Sequence, residues 1–432
     1  MRDDRLMRRV RRPRPRGVLL AVTLGLLLAS PHPARAQERP PSDPSEFVNA
    51  LLSGLLGFRS ISEAELQREV ADVGGIPFKR GVPVDFLTHE QMARYFEELF
   101  DSEYPEERAA GEQRLLRTLD LLPQGTDLRK LRARLLLENV IGFYDERPDK
   151  KRLFAVSADR TLTPANQLVL AHELRHALQD QYMPIHDLLP ASLSDFDDRR
   201  MALLTLLECD ATLVMQRYLM RRLPEGQAGG LDSASFSLPP PEMPDTPPVL
   251  RDQLVLPYTV GLEFARALYA RSGWSGLQEA FARPPESTEQ ALHPEKYFER
   301  ERPRPVELAY VPSGGRVIAE GVLGEMLLGS LLGDGASAAV AGWGGDAYTA
   351  FDVSGRTLVL SRSVWDSPAD LREFLEAASA RFSASHGAPR LQRGYRIFER
   401  KGSFVAVGEW LSGAMLVASD DTELLKAALA RF

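Results

Sequence analysis

Residues 171–180 read AHELRHALQD, and that stretch restricts the fold more than any other. If His172 and His176 act on one target, the segment must be an α-helix, because residues four apart then lie on one face. A second element must also come alongside to complete whatever the two imidazoles hold. The chain has only seven histidines in 432 residues, so an HExxH string arises by chance in roughly one such protein in a hundred. Thr163 and Pro164 stand upstream as an N-cap and a first helical residue. The helical pattern continues from there to about Tyr182.

Two histidines at this spacing can present two ring nitrogens to one divalent ion. Glu173, one position round the helix, can reach a water there without being a ligand. A catalytic zinc site also needs a third protein ligand and an open position. Glu208 is the candidate, 32 residues after His176 on a helix predicted over Asp197–Leu223. Met201, Leu204, Glu208, Ala211 and Met215 follow spacings of three and four, which puts the carboxylate on a core-facing stripe. An ionised carboxylate there is costly unless it is paired or bound to a cation. His186, in MPIHDL, is the alternative third ligand, but it lies past Pro184 and outside the helix.

HELRH followed by a glutamate on a downstream helix resembles the gluzincin zinc metallopeptidases, the group that includes thermolysin. The resemblance covers roughly residues 138–223. It implies a zincin-like metallopeptidase core, Zn2+ held by His172, His176 and Glu208, and Glu173 as general base. It also implies that the hairpin expected over 140–156 has an edge strand that binds extended peptide. Asp180 matches an acidic residue that follows HExxH in thermolysin-like enzymes. The segments LLECDATLVM and PPESTEQALHPEKY resemble secreted bacterial proteins assigned a metallopeptidase domain without an established substrate. A metzincin is excluded, because Gln179 and Tyr182 stand where that group has glycine and a third histidine.

Metal-assisted hydrolysis needs a donor for the developing oxyanion. Tyr258 (LPYTVG) and His293 (ALHPEKY) are the candidates. Asp210 or Asp180 is expected to accept the second ring N–H of a ligating histidine. Arg175 occupies a position usually uncharged in the stricter peptidase motif and is expected to flank the cleft or turn to solvent. Thr212 stands where the ExxxD pattern of thermolysin has its aspartate. Cys209 reads as a small buried residue, because helix neighbours diverge by about 100°.

Residues 1–36 read as an export signal. Eight arginines between Arg2 and Arg16 precede the apolar run VLLAVTLGLLLA, and Ala34-Arg35-Ala36 supplies a small-x-small cleavage pattern. The run is shorter than the about 20 residues that span a bilayer. The expected mature chain begins at Gln37, is secreted or periplasmic, and has no stable membrane association. Taking the nine arginines and two aspartates of the signal from totals of 53 and 60 leaves 44 basic against 58 acidic side chains, formally −14. That surface offers nucleic acid no electrostatic attraction. Cys209 is the only cysteine, so no intramolecular disulfide forms.

The fold class expected is α+β: a mainly helical region over 37–137, a catalytic domain over 138–305 and a C-terminal α+β module over 306–432, where strand-like runs such as TLVLSRSV and SFVAVGEW alternate with helical ones. The N-terminal region is either an integral lobe or an inhibitory prosegment. Residues 224–252, rich in Gly, Ser and Pro, read as a loop. The function expected is an exported zinc-dependent peptidase acting on peptide or protein substrates. The alternative is a secreted zinc-containing binding or scaffold protein that has lost hydrolysis. Glu173 discriminates between them, because a purely structural metal does not require it.

Overall fold

The computed structural model describes residues 58–59, 61–140, 142–157, 162–189, 193–222, 243 and 245–432. The export signal lies outside the described residues, as does the stretch that follows it, where the sequence predicts a polar, proline-rich leader over 37–47 and a helix over 47–58, of which only Phe58 is described. The chain is a mixture of helices and strands, consistent with α+β. Among the described residues, no helix is long and apolar enough to cross a membrane.

Four helices and a small sheet lead to the HELRH segment. Helix α1, Glu63–Gly74, is capped by the Ser62 hydroxyl and stopped by Gly75, whose φ of 69° suits a residue without a Cβ. Strand β1, Val84–Leu87, is followed by α2, His89–Glu103, which opens with a capping box between Thr88 and Gln91. Helices α3, Glu106–Thr118, and α4, Leu128–Asn139, complete the helical region. The expected hairpin is present as β2, Gly142–Asp145, and β3, Arg152–Val156, paired antiparallel with Phe143 opposite Phe154. Strand β1 joins the far side of β3 in parallel, so the order is β1-β3-β2 and β2 is an outer strand.

Helix α5, Pro164–Tyr182, carries HELRH and begins on the Thr163 cap as its sequence predicts. A short helix α6, Ile185–Leu188, separates it from α7, Asp198–Arg222, which carries Glu208. Both long helices are enclosed on every side rather than on one stripe. Residues 166–180 of α5 are all buried, as are nearly all from Met201 to Leu219 of α7. Such helices belong to the interior of a large core.

Prolines set the boundaries of the next helices. The segment read as loop ends in a helix, α8, Pro248–Val255, because proline is well tolerated in a first helical turn. Periodicity in the sequence predicts one helix from Leu254 to Ser272, but Pro257, which lacks an N–H, breaks it. It becomes a 3-10 turn, Leu256–Tyr258, and then α9, Val260–Ser272. Helix α10 spans Trp274–Ala282, and the turn-rich stretch after it holds two short helices, α11, Thr288–Leu292, and α12, Pro294–Glu299.

The C-terminal part is one antiparallel sheet of seven strands. In chain order these are β4, Gly315–Gly321; β5, Trp343–Val353; β6, Arg356–Trp365; β7, Arg390–Gln392; β8, Tyr395–Arg400; β9, Ser403–Trp410; and β10, Gly413–Ser419. In space they run β4-β5-β6-β10-β9-β8-β7. Helices α13, Gly324–Leu332, α14, Pro368–His386, and α15, Thr422–Leu429, accompany them. Period-two alternation sends Val405 and Val407 to one face and Ala406 to the other. The first face shares a core with Leu115, Leu119 and Leu131 of the helical region and with Phe196 and Met201 at the start of α7. Packing therefore runs across the boundaries expected at 137/138 and 305/306. Helix α15 covers the second face through Leu425, Ala428 and Leu429.

Candidate metal centre

Helices α5 and α7 lie against each other, and their contact closes the gap between His176 and Glu208. His172 Nε2 is 3.1 Å from His176 Nε2 and 3.1 Å from Glu208 Oε2, and His176 Nε2 is 3.4 Å from the same oxygen. Three donors around a tetrahedral ion with bonds of about 2.0–2.1 Å stand about 3.3–3.4 Å apart. The triangle therefore fits a small tetrahedral cation, and both imidazoles and Glu208 are buried.

The charges at this triangle are interdependent. Burial opposes protonation of His176, but the adjacent Glu208 carboxylate outweighs it and pushes the pKa up to about 9. Burial dominates at His172 and lowers its pKa. At Glu208 burial favours the neutral acid, yet the two imidazoles outweigh it and hold the carboxyl below its ordinary range. A proton on His176 and a bound cation are alternative ways to satisfy the same carboxylate, as expected where metal binding displaces a proton.

Glu173 sits beside the two histidines, fully buried, with a carboxylate oxygen within 4.8 Å of their ring nitrogens. Its Oε2 accepts a hydrogen bond of 2.8 Å from the Tyr144 backbone N–H. That N–H belongs to the side of β2 that no other strand pairs among the described residues, so the sheet edge fixes the carboxylate's orientation.

The partners behind the triangle differ from expectation. Neither Asp210 nor Asp180 receives a histidine N–H. Gln179, one turn after His176, does so through its Oε1, 2.9 Å from His176 Nδ1. The Gln179 amide nitrogen donates to the Leu207 carbonyl and to Asp210 Oδ2, both of which can only accept. That network leaves the amide oxygen facing the imidazole and fixes the tautomer in which Nε2 points at the triangle. Gln179→Ala is expected to weaken any zinc binding at the triangle by about 10–100-fold while leaving His172, His176 and Glu208 in place, read by competition with a calibrated chelator. Unchanged affinity would reject that role.

Asp210 acts one step further out. It takes two hydrogen bonds from Arg175, at 2.7 and 2.9 Å, and Arg175 also donates to the Gly74 carbonyl and lies 5.1 Å from the Trp274 ring. Arg175 is 1% exposed, so it neither flanks a cleft nor meets solvent, contrary to what its charge suggests. A Cβ on Gly74 would stand 2.7 Å from the guanidinium, so a side chain there would have to displace Arg175 from its place between Asp210 and the Gly74 carbonyl. Asp210→Ala strands a buried guanidinium and is expected to lower unfolding stability by about 3–5 kcal/mol, measured by urea denaturation. The double replacement Arg175→Met with Asp210→Leu is expected to cost less, because no charge is then left unpaired.

Asp180 accepts from the Tyr144 hydroxyl, the Lys151 ammonium and the Ile185 N–H, and so ties β2 and α6 to α5. His186 pairs with Asp187 at the surface rather than joining the triangle. Cys209 is buried, with its thiol on the Leu206 carbonyl. The Thr212 hydroxyl and His172 Nδ1 are both buried without a hydrogen-bond partner among the described residues.

Of the two oxyanion-donor candidates, the fold brings one to the site. The 3-10 turn at Pro257 places the Tyr258 ring 6.1 Å from that of His172, beside Glu208. Burial, reinforced by Glu208, raises the Tyr258 pKa well above its ordinary value, so the phenol stays a donor. His293 is held elsewhere, 2.9 Å from Glu325 on α13. Spacing does not separate these two, whereas the missed partner Gln179 is signalled by its place one turn after His176.

A second acidic cluster, Glu289, Glu301 and Asp366, already surrounds the Lys296 ammonium at 2.6–2.8 Å and needs no metal. Residues 311–426 match a family model described as a domain of unknown function, DUF8575. That stretch is the seven-stranded sheet with its helices, and it contains none of the triangle residues. No curated protein and no solved structure matches the chain.

Proposed function

We propose that the chain is an exported zinc-dependent peptidase of gluzincin type. The observation that carries this reading is the triangle of His172, His176 and Glu208 donors with Glu173 oriented beside it by the Tyr144 N–H. A zinc ion held by the three ligands would supply Lewis acidity for water activation and carbonyl polarisation. Glu173 is positioned to take the proton of the attacking water and deliver it to the leaving amine. The Tyr258 hydroxyl is positioned to donate to the oxyanion. Gln179 holds His176 in the ligating tautomer. Strand β2, whose outer side no other strand pairs among the described residues, would offer the backbone groups that Glu173 does not use to an extended peptide.

The complete burial of His172, Glu173 and His176 favours a second reading, in which the chain keeps zinc for stability and binds partners without hydrolysis. One experiment separates the two. The protein from Gln37 to Phe432 is analysed for zinc by elemental analysis and then incubated with a mixed peptide library. Zinc near one per chain with chelator-sensitive cleavage supports the peptidase. Zinc without cleavage supports the scaffold, and no zinc after refolding with the metal rejects both.

A further inference from the structure

Arg200, Leu204 and Glu208 are spaced by four along α7 and share one face of the helix. A cavity of about 170 Å³ follows that face from Glu208 and Tyr258 to Arg200. Cavities of about 150 Å³ admit a benzene ring, so this one has room for a single side chain or a chain end. Its walls are largely apolar, formed by Leu135, Leu250, Leu254 and Pro257.

The end remote from the triangle is cationic. Arg108, Arg132 and Arg200 converge on Asp195, which Arg108 and Arg200 reach at 2.7 and 2.9 Å. Glu112 is the second carboxylate of the group and is also occupied by the Tyr104 and Ser194 hydroxyls. Three guanidiniums thus face two carboxylates. Arginine cannot discharge by losing a proton. Arg200 is 8% exposed, lines the cavity, and its Nη1 is buried without a hydrogen-bond partner among the described residues. The other carboxylate lining this end is Glu103, which burial shifts toward its neutral form. Arg200 and Glu208 are separated by about 12 Å of helix. One arginine side chain and one or two extended residues of about 3.3–3.6 Å each span that distance.

We propose that this cavity receives a carboxylate of the substrate, from an acidic side chain or a free C-terminus, with Arg200 as the residue that recognises it. The proposal rests on the peptidase reading for its class of substrate. An incoming carboxylate supplies the acceptor that Arg200 Nη1 lacks, in the two-pronged geometry that guanidinium favours. The apolar walls exclude water from the contact.

The test uses four N-acetylated peptides of one length, ending in glutamate or glutamine, each with a free or an amidated C-terminus. They are titrated calorimetrically into the mature chain carrying Glu173→Gln, alone and with Arg200→Gln or Arg200→Lys. Peptides with the recognised carboxylate are expected to bind at least about tenfold more tightly. Arg200→Gln is expected to remove that preference and Arg200→Lys to keep part of it. Tight binding of the amidated glutamate peptide assigns the cavity to a side chain, and tight binding of the free glutamine peptide assigns it to a C-terminus. Four equal affinities, no binding by any peptide, or equal weakening of all four by Arg200→Gln would overturn the proposal. Library cleavage by the wild-type chain without carboxylate preference would reject the cavity's role and leave the peptidase reading standing. Carboxylate binding that depends on Arg200, in a chain that cleaves nothing, would do the reverse.

Discussion

Glu208→Ala is expected to take zinc from about one ion per chain to near none, because a tetrahedral site reduced to two imidazoles keeps half its positions open. Glu208 Oε2 is the atom that both His172 and His176 approach, at 3.1 and 3.4 Å. A ligand that binds only the folded state stabilises it by about 4 kcal/mol at a thousandfold excess over its dissociation constant. Added zinc should therefore raise the melting temperature of the wild-type chain and leave that of the variant unchanged. Elemental analysis and paired melting curves check both outcomes. Full zinc retention in the variant would show that Glu208 is not a ligand and would remove the basis of the peptidase reading.

Glu173→Gln is expected to lower peptide turnover by about 10²–10⁴-fold, the usual contribution of a general base, while zinc content stays at the wild-type level. Glutamine keeps the shape of the side chain and an oxygen for the Tyr144 N–H, so the link between β2 and α5 persists. What it loses is the capacity to accept a proton. The informative measurement is therefore turnover at equal zinc content. Unchanged turnover would assign proton transfer to another group, and loss of zinc would make Glu173 a ligand or a structural support.

Much of the architecture is legible in local patterns. The Thr163 cap and Pro164 mark the start of α5 to the residue, and the strand-like runs TLVLSRSV and SFVAVGEW mark β6 and β9 of the large sheet. Prolines mislead in both directions. Pro248 opens a helix inside a stretch that composition marks as loop, and Pro257 breaks one that periodicity carries through. The helix α13, GEMLLGSLL, gives no periodic signal because it is short and apolar almost all round. At the site, the pairing of His172 with His176 follows from helical spacing alone. Arg175 departs from the local expectation because a lone charge in a motif usually means surface, and only its partner Asp210, 35 residues away, makes burial tolerable.

By itself the sequence determined the local geometry: which segments are helical, where they start, and that His172 and His176 share a face with Glu173 beside them. These depend on backbone dihedrals and a fixed period, which act over a few residues. The tertiary structure alone decided that Glu208 rather than His186 meets the histidines, and that Tyr258 rather than His293 stands nearby. It also decided that Gln179 fixes the His176 tautomer and that Arg200 ends a cavity. Each depends on how buried helices rotate and slide against one another, which is set by close packing across the whole core and has no counterpart in local spacing.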